Sequence, residues 1–321
     1  MARDRLLLLG TISALGAASL FGMLGPLSRI GAQEGVDALS FTAWRAMLGM
    51  VFLAVLIVGR RGVRSSLGSI RVLDGHGRAA LIVAAVMGLL LNAAMFSAFG
   101  RIPIALALML FYTYPAGVAV VDVGLGNERL TPPRLVALAL STSGAVLVLA
   151  GSMDTAAGVA DDTPGILLAL SAAACQVVFV SVSRTGYRSV PADAATLVIL
   201  AVALIGAATI AFVIGAADGL TAPLRNPAAW PALLAGGVLA GGLASVLFLR
   251  AIRLVGGTRT GILMLFEPVV GVTLAAIWLG ETLVPVQLVG GGLVLAGAAV
   301  LQLGSAPDHE TVVEAGASPV M

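Results

Sequence analysis

The residues able to do chemistry in this chain are few, and they lie inside long apolar stretches. Glu267 immediately precedes Pro268, and Pro115 occupies the corresponding place in an earlier stretch. A proline within a helix removes one N–H bond and leaves the carbonyl four residues earlier without its donor, here Phe111 and Met264. In a bilayer, such backbone is tolerated only against protein or a water-filled cavity. A carboxylate at mid-bilayer depth costs roughly 2.5–3.5 kcal/mol on insertion scales and faces a pathway or a partner. Glu267 can therefore exchange a proton against a bound solute or accept a structural hydrogen bond. Arg45, two turns into its stretch, can hold a carboxylate in a bidentate fork or snorkel outward. Asn92 and Gln176 place amides at mid-stretch, and Tyr112 and Tyr114 flank Thr113 just before Pro115, with Phe96 and Met264 as further candidates. Amides and aromatic rings suit a small zwitterion with an apolar side chain, and interhelical hydrogen bonding with core packing accounts for the same residues. On a continuous helix Tyr112 and Tyr114 point about 200° apart, so one of the two is expected to line a path. Glu128 and Glu281 precede the next apolar stretches and read as caps of helix N-termini, with gating as the alternative. Asp122 closes its stretch and reads as a solvated helix end, with a gate as the alternative.

The elements that must position these residues follow from composition. Of 321 residues, 59% are hydrophobic, 11% are charged and 40 are glycine, and the mean hydropathy is +1.07. A soluble domain carries about 45–50% apolar and about 25% charged residues, so this is an integral membrane protein. All 18 basic residues are arginine. The absence of lysine excludes a P-loop and a Schiff-base lysine enzyme. The single cysteine, Cys175, excludes an internal disulfide and a multi-cysteine zinc site, and the two histidines, His76 and His309, lie in polar stretches. Neither enzyme chemistry, a cofactor nor a metal is expected.

About 20 apolar residues cross a bilayer as a helix, and ten stretches qualify: Leu6–Ile30, Leu39–Val58, Ala79–Phe99, Ile102–Val123, Pro132–Ala150, Gly165–Val182, Ala192–Ala216, Ala228–Leu254, Thr260–Leu279 and Pro285–Leu303. The first run, at about 25 residues, is longer than a signal-peptide h-region and reads as a retained span. The polar tail 305–321 reads as disordered. With the N-terminus in the cytoplasm, 14 arginines fall on the inner side and 3 (Arg29, Arg101, Arg225) on the outer, with Arg45 inside a span. Basic residues collect on the cytoplasmic side, so both termini are expected there. The basic loop Arg60–Arg78 is an ordinary consequence of insertion, and nucleic acid is not a partner.

The two halves repeat. A shift of 153 aligns Arg101–Ser152 with Leu254–Ser305 without a gap and gives 12 identities in 52 positions, among them Leu110 with Leu263, Pro115 with Pro268 and Glu128 with Glu281. Asn92 falls on Ser245. At a shift of 155, Ser28-Arg29-x-Gly31 meets Ser183-Arg184-x-Gly186. The repeats are 6–151 and 164–304. Each has five spans, an odd number, so the second enters the membrane from the opposite side. Such inverted duplication is an architecture of secondary transporters, with solute bound near the midplane between halves. Two units that each adopt two packings give near-equivalent inward-open and outward-open states.

The segment Gly261–Gly297, containing ILMLFEPVVGVTLAAIWLGETLVPVQLVGGGLVLAG, resembles the signature of the drug/metabolite transporter superfamily, EamA type. ALALMLFYTYPAGVAVVDVGLGNERLTPPRLVALALSTSGAVLVLAG resembles it more loosely. The resemblance runs from about Leu6 to Gly304, Arg45 in the second helix included, and one departure is Ser19-Leu20-Phe21-Gly22, where many members carry Trp before the glycine. It implies an all-α membrane protein of ten transmembrane helices in two inverted five-helix repeats, exporting amino acids or other small metabolites. The expectation is a bacterial inner-membrane carrier, monomeric, working by alternating access on a small-molecule substrate, with proton coupling open. Uptake or exchange of another solute such as a sugar phosphate is the second reading, and it would call for two cationic groups where Arg45 is the clear one. A permease subunit of an ATP-driven assembly, or a scaffold without flux, is the reading from a different class.

Overall fold

In the computed structural model, residues 2–60, 68, 70, 72–99, 101–102, 104–126, 131–151, 162–279 and 283–303 are described. Glu128, Glu281 and the tail 305–321 lie outside these residues. Among those described, the chain is helical and holds no strand. Nine helical stretches are long and apolar enough to cross a bilayer, and a shorter apolar helix covers Pro285–Leu301.

The helices are α1 (Ala2–Gly22), α2 (Leu24–Gln33), α3 (Ala38–Arg60), α4 (Gly75–Phe99), α5 (Ile104–Phe111), α6 (Tyr114–Gly124), α7 (Pro132–Ala150), α8 (Thr163–Thr185), α9 (Ala192–Val213), α10 (Ala217–Arg225) and α11 (Trp230–Leu234). After a π-helical segment at Ala235–Ala244 come α12 (Ser245–Val255), α13 (Gly257–Met264), α14 (Glu267–Leu279) and α15 (Pro285–Leu303). Local chemistry sets the starts. Asp162 caps α8 by accepting from the Gly165 amide at 3.0 Å, with Pro164 in the first turn, where its missing N–H costs nothing. Asp162 also pairs with Arg101 at 3.2 Å.

The first span is less regular than its composition suggests. It divides at Met23 into α1 and α2, because Pro26 cannot donate to the Gly22 carbonyl. The α2 start is retained by the Leu27 amide, which donates to the Met23 carbonyl at 3.0 Å. Its repeat counterpart α8 runs unbroken from Thr163 to Thr185.

Packing obeys the repeat. α4 lies against α8, and their counterparts α12 and α1 lie against each other; α7 and α15 pair across the pseudo-twofold axis. Small residues make the last pair close. A methyl on Gly144 would lie 2.5 Å from the Gly290 carbonyl oxygen, and one on Gly297 would lie 2.9 Å from the Ala137 carbonyl oxygen, related positions under the shift of 153. Membrane helices associate through such close backbone approach. The core is correspondingly rich in alanine, with Ala14, Ala17, Ala18, Ala84, Ala172 and Ala240 fully buried. The outer surface exposes Ile12, Val55, Ile82, Ile205, Phe212 and Leu288, an apolar coat suited to acyl chains and not to water. Gly144→Ala is expected to lower stability by about 1–3 kcal/mol through overpacking against backbone that cannot yield. Unfolding of purified protein in mild detergent against a denaturing one would measure it.

On the face where α1 begins, the turn between α8 and α9 is tied to α12. Arg253 donates to the Val190 carbonyl at 2.6 Å and stands 5.2 Å over the Tyr187 ring, and Tyr187 meets the Ser183 hydroxyl at 2.5 Å. Burial holds the Tyr187 phenol at a pKa of about 12, so it stays neutral.

One departure from pseudo-symmetry is large. α6 packs against α13, which is buried along its whole length. The equivalent pairing, α14 with α5, makes no comparable contact among the described residues.

Candidate functional site

Two interrupted helices build the centre. α5 ends at Phe111 and α6 resumes at Tyr114; α13 ends at Met264 and α14 resumes at Glu267, each position 153 residues from its counterpart. The prolines thus produce breaks of two residues rather than bends. The ladder is patched in the same way twice. The Thr113 amide donates to the Leu110 carbonyl at 3.3 Å, and the Phe266 amide to the Leu263 carbonyl at 3.2 Å. Beyond each proline, the Gly117 amide reaches Thr113 and the Val270 amide reaches Phe266. The tighter i→i−3 bonds from Thr113 and Phe266 satisfy part of the freed backbone within each break, and ordinary i→i−4 bonds resume beyond it. Thr113 Oγ1 adds a 2.7 Å bond to the Leu110 carbonyl.

Glu267 is the first residue of α14 and half-buried. Its carboxylate accepts from the Tyr112 hydroxyl, and the Arg45 guanidinium acts on it electrostatically. Tyr114, its repeat counterpart on α6, bonds Gln176 of α8, and both are buried. Arg45, on α3, is 7% exposed, so it does not snorkel. One of its terminal nitrogens donates to Asn92 Oδ1 at 2.8 Å. The Asn92 amide nitrogen donates to the Gly88 carbonyl at 2.6 Å, which turns the oxygen towards Arg45. Arg45 Nε is buried with no hydrogen-bond partner among the described residues.

The glycine-rich π segment makes room for Arg45. A methyl on Gly241 would lie 2.7 Å from the Arg45 carbonyl oxygen and 3.1 Å from its Cγ, and one on Gly237 would meet Leu48 at 2.5 Å. Wide π turns recur at functional positions in helices. The counterpart α4 carries no such segment.

The two tyrosines do not diverge as a continuous helix would make them. Tyr112 lies in the break, outside both helices, and its ring centre is 6.3 Å from that of Tyr114 at a 36° tilt. Phe111 completes the group, 5.5 Å from Tyr112 and 5.2 Å from Tyr114. Both tyrosines, Met264 and Leu265 belong to one buried cluster. The cluster also gathers aromatics that the sequence did not single out. Phe248 of α12 stacks on Phe179 at 6.2 Å and meets Phe21 edge-on at 6.1 Å. Phe21 lies in Ser19-Leu20-Phe21-Gly22, the stretch where the sequence departs from the signature it resembles, and the readable signal was that departure. Pro115 and Pro268 are both buried, and Gly261 is held against Pro115, where a methyl would meet its Cβ at 3.2 Å. Phe96 lies on α4, with its side chain outside the described residues.

Asp122 is not a solvated helix end. It is fully buried near the end of α6 and pairs with Arg184 of α8 at 3.3 Å. Neither a helix-end pattern nor hydropathy separates a buried carboxylate from an exposed one at a span terminus.

Comparisons with known proteins agree with this architecture. The EamA-like transporter family matches residues 8–150 and again 163–303. A protein known from its crystal structure superposes with a TM-score of 0.74 and 22% identity, over 92% of this chain and 96% of its own; at that identity the likeness concerns the fold. No curated protein matches the sequence significantly. Two matched repeats, inverted by their odd number of spans and broken at equivalent prolines, make this chain a multi-pass membrane protein of the EamA-like transporter family, built to move small solutes.

Proposed function

We propose that the chain is a bacterial inner-membrane secondary carrier that exports a small metabolite, an amino acid or a derivative, by alternating access, with both termini cytoplasmic and one chain as the working unit. The observation that carries this reading is the pair of equivalent helix breaks, which bring a guanidinium, a carboxylate, two amides and three aromatic rings to the junction of the halves. Arg45 offers a substrate carboxylate the Nε donor that has no partner among the described residues. Glu267, at the start of α14, is the acceptor for an ammonium group or a proton. The Phe111, Tyr112 and Tyr114 rings take the apolar side chain. One cation and one carboxylate favour a zwitterion over a phosphate ester, for which a second cation in this cluster would be required.

Counterflow of labelled amino acids into proteoliposomes preloaded with the same compound tests the reading, since it needs a working site and both access states but no energy source. Accumulation of one compound is expected, with loss in Asn92→Ala, which frees the buried Arg45 terminus from its 2.8 Å partner. Leaving one member of a buried charged hydrogen bond unpaired costs about 1.5–3 kcal/mol, or roughly 10- to 100-fold in rate if the transition between states bears it. A folded protein that accumulates no amino acid ends the amino-acid reading. Copurification with an ATPase that flux requires would replace the carrier with a permease subunit.

A further inference from the structure

Asp122 stands at the meeting of three elements. Its carboxylate pairs with Arg184 of α8 at 3.3 Å, and a methyl on Gly257, the first residue of α13, would lie 2.9 Å from its Oδ2. The same Gly257 methyl would touch Val118 of α6 and Val180 of α8, each at 3.0 Å. A carboxylate at a helix N-terminus is stabilised by the helix dipole, so one group holds α6 to α8 through a guanidinium and to α13 through its first turn. The result is the closed wall on the face where α1 begins: α6 and α13 packed together, with every residue of α13 buried. The inverted repeat predicts an equivalent wall on the opposite face, from α14, α2 and α5. The arginine is there, since Arg29 repeats Arg184. The acid is not: the position equivalent to Asp122 is Ala275, and among the described residues α14 does not pack on α5 as α6 does on α13.

We propose that Asp122, Arg184 and the α13 N-terminus form the gate that seals the face where α1 begins, and that the alanine at the equivalent position leaves the opposite face without this latch, so the carrier rests open on that side. The proposal takes alternating access from the function above. It adds the residues that set the balance between the two states, which an inverted repeat alone would leave near equality. Removing one partner of a buried ion pair withdraws that counter-charge from the other in the closed state, a loss that weighs less once the gate opens to water, so the equilibrium shifts towards opening at this face.

Accessibility to a membrane-impermeant maleimide, applied to either side of proteoliposomes, reads that equilibrium without a substrate. The reporter is Thr258→Cys on α13, a site that is 1% exposed, in a chain whose single native cysteine is removed by Cys175→Ala. Slow labelling is expected with the wild-type pair. Asp122→Asn or Arg184→Gln should raise the rate at least about tenfold from the face where α1 begins, and the exchange Asp122→Arg with Arg184→Asp should return it towards the wild-type value. Ala275→Asp, which supplies the missing acid opposite, should also raise labelling, because stabilising closure there populates the state open here. Should the single variants fail to fold, the exchange and Ala275→Asp carry the same test. Labelling unchanged in Ala275→Asp and in the folded pair variants would overturn the gate and leave the ion pair a packing device. Counterflow and labelling fail independently: a shift in labelling without counterflow keeps the gate and rejects the amino-acid reading.

Discussion

Glu267→Gln is expected to weaken counterflow without eliminating it and to abolish accumulation driven by a pH gradient. Glutamine keeps the volume, the first-turn position on α14 and an oxygen that can accept from the Tyr112 hydroxyl or a solute ammonium group, so the site keeps its shape and loses only its charge. The change removes the capacity to bind and release a proton. If one proton moves per solute, a one-unit gradient sustains about tenfold accumulation, since each unit of pH is worth about 1.36 kcal/mol; the variant should show none. Tyr112→Phe separates geometry from protonation. It deletes the hydroxyl that Glu267 accepts from but retains the ring 5.5 Å from Phe111, and it should reduce gradient-driven accumulation without eliminating it. Gradient-driven accumulation that persists undiminished in Glu267→Gln would sink proton coupling through this residue and assign the carboxylate to holding the break together.

The reach of sequence reasoning here depends on range. Span number, repeat and inversion rest on composition and on spacings within one chain, and hydropathy reports them because the bilayer imposes one length on every helix. The prolines also announce that the ladder must change at Pro115 and Pro268. What periodicity could not supply was the form of the change. Treating Tyr112 and Tyr114 as neighbours on one helix separates them by about 200°, whereas a two-residue break removes the periodicity and lets both rings share one cluster. The division of the first span at Met23 has the same origin: Pro26 lies in the sequence, but whether a span bends or breaks depends on what packs against it.

Asp122 was illegible for a different reason. Its burial comes from Arg184, 62 positions away in the chain by their numbers, and from an α13 start that only the tertiary arrangement delivers. The π segment at Ala235–Ala244 likewise reads in sequence as a small-residue stripe. Only the approach of Gly241 to Arg45 shows what the stripe accommodates. The pseudo-symmetry of the fold was therefore legible and the departures from it were not, and the departures carry the difference between the two faces.

Gly22→Val is expected to depress transport far more than it depresses folding. The end of α1 crosses the start of α14 at this glycine: a methyl there would lie 2.8 Å from the Glu267 carbonyl oxygen, 2.9 Å from Val270 Cβ and 3.1 Å from the Gly271 amide nitrogen. None of these is the free end of a flexible side chain, so a larger residue must drive α1 and α14 apart. Overpacking of this kind costs about 1–3 kcal/mol in stability, which a multi-helix protein can survive. The displaced element, however, begins with Glu267 itself. A misplacement of about 1 Å at a reacting or binding group can cost about 100-fold in rate, and that is the loss expected in initial counterflow. Gly25→Ala, three residues on, provides the control, because nothing lies within 4 Å of the added methyl; it should transport normally. A Gly22→Val protein that folds and transports at the wild-type rate would mean that α1 and α14 separate freely at this crossing, and that the close approach is not what fixes the position of Glu267.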